Sequence, residues 1–160
     1  MKNNARLVAA IGLAMAPAAY AQDPRVTAND PASVVAALEM AGYQPKLSKD
    51  GIEDPMIEVK ISDYSSRIYF YGCDKDTHQG CDTLMLSTGF DRKKPWTHDN
   101  ATAMMKDWRF ASVYLDDEGD PYVTYDIVTL EGMPTKLFLA SVSRYGDALA
   151  GIADKIFADE

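Results

Sequence analysis

Apolar residues recur along this chain with two different periods, and the changes between them mark its elements. Between residues 108 and 130 they alternate. Ala111, Val113 and Leu115 fall on one face of a first run, Val123, Tyr125 and Ile127 fall on one face of a second, and an acidic turn lies between the runs. The pattern predicts a β-hairpin whose two apolar faces meet in one core. Pairing Leu115 with Val123 leaves Glu118, Gly119 and Asp120 as a three-residue loop, in which Gly119 is free to adopt positive φ.

Upstream of the hairpin the period is first helical and then extended. Asp30 is placed to cap a helix opening on Pro31, with Val34, Val35, Leu38 and Ala41 as its apolar stripe and Gly42 as its stop. Extended segments follow at 44–48 and 56–61, separated by a turn at Asp50-Gly51; in the second, Ile57, Val59 and Ile61 share a face. Two more strand-like runs occupy 67–73 and 81–90. A second helix starts at Thr97 or Asp99 and presents Ala101, Met104, Met105 and Trp108 at helical spacing. After Gly132-Met133-Pro134, a last helix carries Phe138, Val142, Tyr145, Leu149, Ile152 and Ile156 in one seam. Gly146 and Gly151 interrupt that helix at about 1 kcal/mol each relative to alanine, which predicts a close approach by a neighbouring element. The order α-β-β-β-β-α-β-β-α, with hairpins adjacent in sequence, predicts an α+β fold: an antiparallel sheet of five to six strands, covered on one face by helices.

Composition adds a compartment. Lys2 and Arg6 precede an apolar run over 7–16 and a small-x-small site at Ala19-Tyr20-Ala21, so residues 1–21 are expected to be a signal peptide, with Gln22 as the mature start. The apolar run is shorter than the roughly 20 residues a membrane span needs. Residues 22–29 are polar and aperiodic, predicting a flexible lead-in to a single domain over 30–160. Cleavage removes two of the sixteen basic residues and none of the twenty-four acidic ones, leaving 14 against 24 and a net charge of −10. That balance argues against nucleic acid and anionic membrane as partners, since both require clustered Lys and Arg. The short cluster Arg92, Lys93, Lys94 reads as a solvated loop.

The two cysteines, Cys73 and Cys81, lie in the exported part and read as a disulfide of the periplasm or the extracellular space. Placing them opposite each other sets Phe70 against Leu84 and Ile68 against Leu86 on one face, and Tyr71 against Thr83 and Tyr69 against Met85 on the other. Aliphatic core positions thus separate from a tyrosine-bearing face. Tyr69 and Tyr71 are the residues expected to meet a partner, unless a helix of the same chain covers them.

Several stretches carry a resemblance to a known family. They are Ala41-Gly42-Tyr43, Phe70-Tyr71-Gly72-Cys73 with Cys81, Gly89-Phe90, and Trp108-Arg109-Phe110-Ala111 leading into Tyr114-Leu115-Asp116-Asp117-Glu118-Gly119-Asp120-Pro121. Over roughly 31–157 the chain resembles the YbjN-like family of bacterial sensory-transduction regulators. The resemblance implies an α+β fold similar to type III secretion chaperones, and no catalytic residue set comes with it. The family's asparagine-arginine pair reads Trp108-Arg109 here, and Met133-Pro134 stands where a second glycine often follows the last strand.

The residues themselves specify no reaction. His78 and His98 read as surface histidines, and no nucleophile elbow, zinc motif or phosphate-binding glycine loop occurs. The acidic stretches Asp74-Lys75-Asp76 and 116–120 miss the EF-hand spacing. No catalytic, metal or cofactor site is therefore expected. The reading is an exported non-enzymatic module that binds a protein, as a regulator or a chaperone-like factor; a homodimer is one form such binding takes. A small-ligand binder and an unrecognised hydrolase are the alternatives.

Overall fold

The computed structural model describes residues 24–158, so the signal peptide expected over 1–21 lies outside the described residues. In chain order the elements are β1 (Arg25–Val26), α1 (Pro31–Met40), β2 (Lys46–Lys49), β3 (Pro55–Ile61), β4 (Tyr64–Tyr71), β5 (Thr83–Gly89), α2 (His98–Asp107), β6 (Ser112–Leu115), β7 (Pro121–Val128), β8 (Met133–Pro134) and α3 (Thr135–Ile156). Six strands form one antiparallel sheet in the order β2-β3-β4-β5-β7-β6, and β1 pairs with β8 in a two-stranded ribbon. The α+β architecture and the predicted element order both hold.

Period two divides the sheet into unequal faces. Ile57, Val59, Ile61, Ile68, Phe70, Leu84, Leu86, Val123 and Ile127 are buried on one of them. Against it lies α3, whose seam of Phe138, Val142, Tyr145, Leu149, Ile152 and Ile156 is fully buried. Both glycines of α3 meet neighbours. At Gly146 a Cβ would stand 2.9 Å from Ser62 Oγ, in the turn between β3 and β4, and at Gly151 it would overlap the Trp108 ring. Across this core runs one polar chain: Ser66 Oγ and Thr88 Oγ1 are 2.7 Å apart, Thr88 Oγ1 and the Tyr145 hydroxyl 2.8 Å, and that hydroxyl donates to Val123 O at 3.0 Å. Three strands are thereby tied to α3 by groups that satisfy one another away from water.

The helix starts follow the sequence. Asp30 accepts from Ala32 N ahead of Pro31, and Gly42 takes φ +88 just past the end of α1. Thr97, not Asp99, caps α2, forming a reciprocal box with Asn100.

Two expectations need correction. Residues 24–29 are not a loose lead-in: Val26 and Ala28 are buried, Val26 pairs with Met133, and Ala28 N donates to Thr129 Oγ1 at 2.9 Å. A two-residue strand has too little period to read from sequence, and its partner lies more than 100 residues away. The β6–β7 hairpin is also shifted by two residues, with Leu115 opposite Pro121 and Val113 opposite Val123, so its loop is the five residues 116–120. A shift of two preserves the faces and moves only the loop. The cause is Asp116, whose Oδ1 accepts from Glu118 N at 3.0 Å and Asp120 N at 2.9 Å, while its own N–H donates to Asp120 O. A carboxylate that satisfies two loop amides favours the wider turn.

Candidate functional site

Among the described residues, no helix lies over the second face of the sheet. Arg67 on β4 sits in a row that crosses all six strands, Lys46–Glu58–Arg67–Ser87–Thr124–Ser112. The adjacent row is Ser48–Met56–Tyr69–Met85–Asp126, and beyond it lies Tyr71–Thr83–Val128. On the other side of Arg67, Tyr122 pairs with Gly89 and with Tyr114. Gly89 is needed there, because a Cβ would stand 2.6 Å from the Tyr122 ring, which lies over it. Tyr114 stacks on Tyr122 at 5.1 Å between centroids, with ring planes 10° apart.

The segments at 42–44 and 89–91 and the strand residues between them line a concavity of about 880 Å³ on this face. Tyr69 lines the concavity and is half-buried; Tyr71 lies outside it on the same face, 44% exposed. Their rings are 6.4 Å apart. The Tyr71 hydroxyl is held above its ordinary value of 10.0 by burial first, then by Tyr69, Asp50 and Asp126; burial and Tyr122 do the same for Tyr114. These phenols are therefore neutral hydrogen-bond donors at neutral pH.

Cys73 and Cys81 are bridged, and the β4–β5 register is the predicted one: Phe70 opposite Leu84, Ile68 opposite Leu86, Tyr69 opposite Met85 and Tyr71 opposite Thr83. The bridge closes the loop at one end of the open face. Inside that loop Asp74 Oδ1 accepts from Asp76 N, Thr77 N and Thr77 Oγ1, and these hydrogen bonds, led by the Thr77 amide, hold its carboxyl below the usual range.

His78 departs from the solvated role expected of it. It is half-buried, and its Nδ1 lies 2.8 Å from Asp54 Oδ1, joining the disulfide loop to the β2–β3 turn. His98 is exposed at the first position of α2. Among the described residues neither ring hydrogen-bonds a hydroxyl or thiol, and no three His, Cys, Asp or Glu side chains converge as a metal would require. The acidic residues 116–120 are held by the loop after β5. Asp120 Oδ1 accepts from Arg92 N at 2.9 Å, Trp96 N donates to Gly119 O at 3.0 Å, and Gly119 at φ +83 lies so close to Pro95 that a Cβ would stand 2.7 Å from its ring. Arg92 is buried in this contact, its guanidinium 5.4 Å above the Trp96 ring. The basic and acidic loops that read separately as solvated are thus one packed unit.

The family model for YbjN, described as "Putative bacterial sensory transduction regulator", matches residues 30–157. The chain belongs to the YbjN family. Among solved structures, an uncharacterised protein from Methanothermobacter thermautotrophicus superimposes on this YbjN-family chain with a TM-score of 0.53 at 15% identity, covering 77% of this chain and 93% of that one. At that identity the likeness is one of fold. No curated protein matches the sequence. The disulfide is compatible with a periplasmic or secreted protein, and among the described residues no helix is long and apolar enough to cross a membrane.

Proposed function

We propose that this YbjN-family chain is exported, and that it acts as a regulator or chaperone-like factor by binding another protein on the open face of its sheet, with Tyr69 and Tyr71 as contact residues. The observation that carries the reading is that face itself. Tyr71, Tyr114 and Val128 are exposed at 44%, 47% and 63% beside the partly buried Tyr69, Met85 and Tyr122. Tyrosine and methionine on an otherwise polar surface are the residue types that protein interfaces concentrate. The family description, a sensory-transduction regulator, supports the same class of role.

The experiment places a photo-crosslinking amino acid at Tyr114 and irradiates intact cells. A discrete adduct is expected in the unchanged background, and its loss when Tyr69→Glu and Tyr71→Glu are introduced together, with the circular dichroism spectrum of the purified variant unchanged. Absence of any adduct, together with turnover of a defined substrate that His78→Ala or His98→Ala abolishes, overturns the reading in favour of an enzyme.

A further inference from the structure

We infer that the segment of the partner received by the concavity is an extended acidic peptide, whose carboxylates are taken by Arg67 and Lys60; this rests on the protein-binding reading above and names its chemistry. Both cations line the concavity and are exposed, and among the described residues neither side chain makes a hydrogen bond or an ion pair. The anions beside them are largely engaged. Glu58, the cross-strand neighbour of Arg67, is paired instead with Lys46 at 3.5 Å, and Asp120 accepts from Arg92 N. Asp91, at the far rim, is the exception.

A protein with a mature net charge of −10 therefore keeps two uncommitted cations in this concavity. An arginine left in that state offers a planar fork of donors matched to a carboxylate, and the lysine adds a second charge close by. Ser65 and Ser87 flank Arg67 with hydroxyls that donate to carboxylate or backbone oxygens, while Tyr69 and the Tyr122 ring supply apolar walls for side-chain stems. At physiological ionic strength the Debye length is about 8 Å, so the acidic surface beyond the concavity is screened; within it Lys46, Lys60 and Arg67 balance Glu58, Asp91 and Asp120, and with Lys46 on Glu58 it is Arg67 and Lys60 that are left to meet a carboxylate.

The test titrates the purified exported protein with hexaglutamate, hexaglutamine and hexalysine at physiological salt, following backbone amides by NMR. Hexaglutamate is expected to shift the amides of Ser65, Arg67, Ser87 and Gly89. Arg67→Gln and Lys60→Gln are each expected to weaken it by about tenfold, the scale of a lost charge-assisted hydrogen bond; both positions are exposed, and retained amide dispersion checks their fold. Equal binding of the three peptides overturns the inference, as does an absence of shifts at these amides. Free glutamate binding as tightly as hexaglutamate overturns it in favour of a small carboxylate ligand, and self-association that masks the face overturns it in favour of a second copy. The two readings fail separately. Loss of hexaglutamate binding with the Tyr114 crosslink intact removes only the acidic peptide, whereas Tyr71→Glu, which lies outside the concavity, is expected to remove the crosslink and leave hexaglutamate bound.

Discussion

Tyr145 ties α3 to three strands through a single hydroxyl. It is fully buried on α3, yet its hydroxyl joins Thr88 on β5, through it Ser66 on β4, and Val123 O on β7. An α3 displaced by one turn would bury the same apolar area but strand that hydroxyl, so the polar chain selects the position that packing alone leaves open. Tyr145→Phe is expected to lower stability by about 1–3 kcal/mol, the cost of leaving Thr88 and Val123 O short of a partner, read as a lower denaturant midpoint with unchanged slope. Burial drives the Tyr145 phenol far above its ordinary value of 10.0, only partly opposed by the hydrogen bonds from Thr88 and Ser66. Because the folded value is the raised one, its contribution is whole below pH 10 and is lost as the pH climbs above it, where the unfolded chain ionises first. The stability of the wild type should therefore fall more steeply above pH 10 than that of Tyr145→Phe, measured by denaturation across that range.

At the scale of elements, two hairpins share a loop. Asp50-Gly51-Ile52-Glu53-Asp54-Pro55 and Asp116-Asp117-Glu118-Gly119-Asp120-Pro121 follow one pattern, D-x-x-x-D-P. In both, the first aspartate accepts from the amides two and four residues on, the fourth position has positive φ, and the proline opens the next strand. Glu53 holds that conformation at φ 74, whereas Gly119 is also pressed against Pro95 and has no room for a side chain. The repeated motif is the signal that would have given the β6–β7 register; a single glycine between alternating runs suggested a shorter loop. The β4–β5 pair differs, because a covalent bond sets its end. Replacing Cys73 and Cys81 together by serine is expected to cost roughly 2.5 kcal/mol from the loop-closure entropy of about nine residues, seen as a lower denaturant midpoint. A variant as stable as the parent would show that the His78–Asp54 contact and the Asp74 turn hold the loop unaided.

At the scale of the molecule, the three helices and the ribbon of the described residues gather on one side of a six-stranded sheet, and the other side bears the concavity. The sixteen basic and twenty-four acidic residues give a strongly acidic protein, while among the described residues the cations at the concavity whose side chains have no partner are Arg67 and Lys60. Intact mass of the protein recovered from a periplasmic fraction is expected to match a chain beginning at Gln22; a mass corresponding to all 160 residues, or recovery only from membranes, would refute cleavage after Ala21.

Local pattern was sufficient for much of this. The period of two in 56–61 and 67–73, the seam of α3 and the caps at Asp30 and Thr97 act over a few residues, so sequence alone determined the element order, the faces and, through Cys73 and Cys81, the β4–β5 register. The tertiary structure decided what depends on groups distant in the chain. It placed β1 against β8, seated Trp108 on Gly151, joined Arg92 to Asp120 and His78 to Asp54, and, among the described residues, left Tyr69 and Tyr71 without a covering helix. None of these follows from periodicity, because a helix stripe or a strand face records only that it is buried. What buries it is settled by packing, where volume, hydrogen bonding and loop length must be satisfied together.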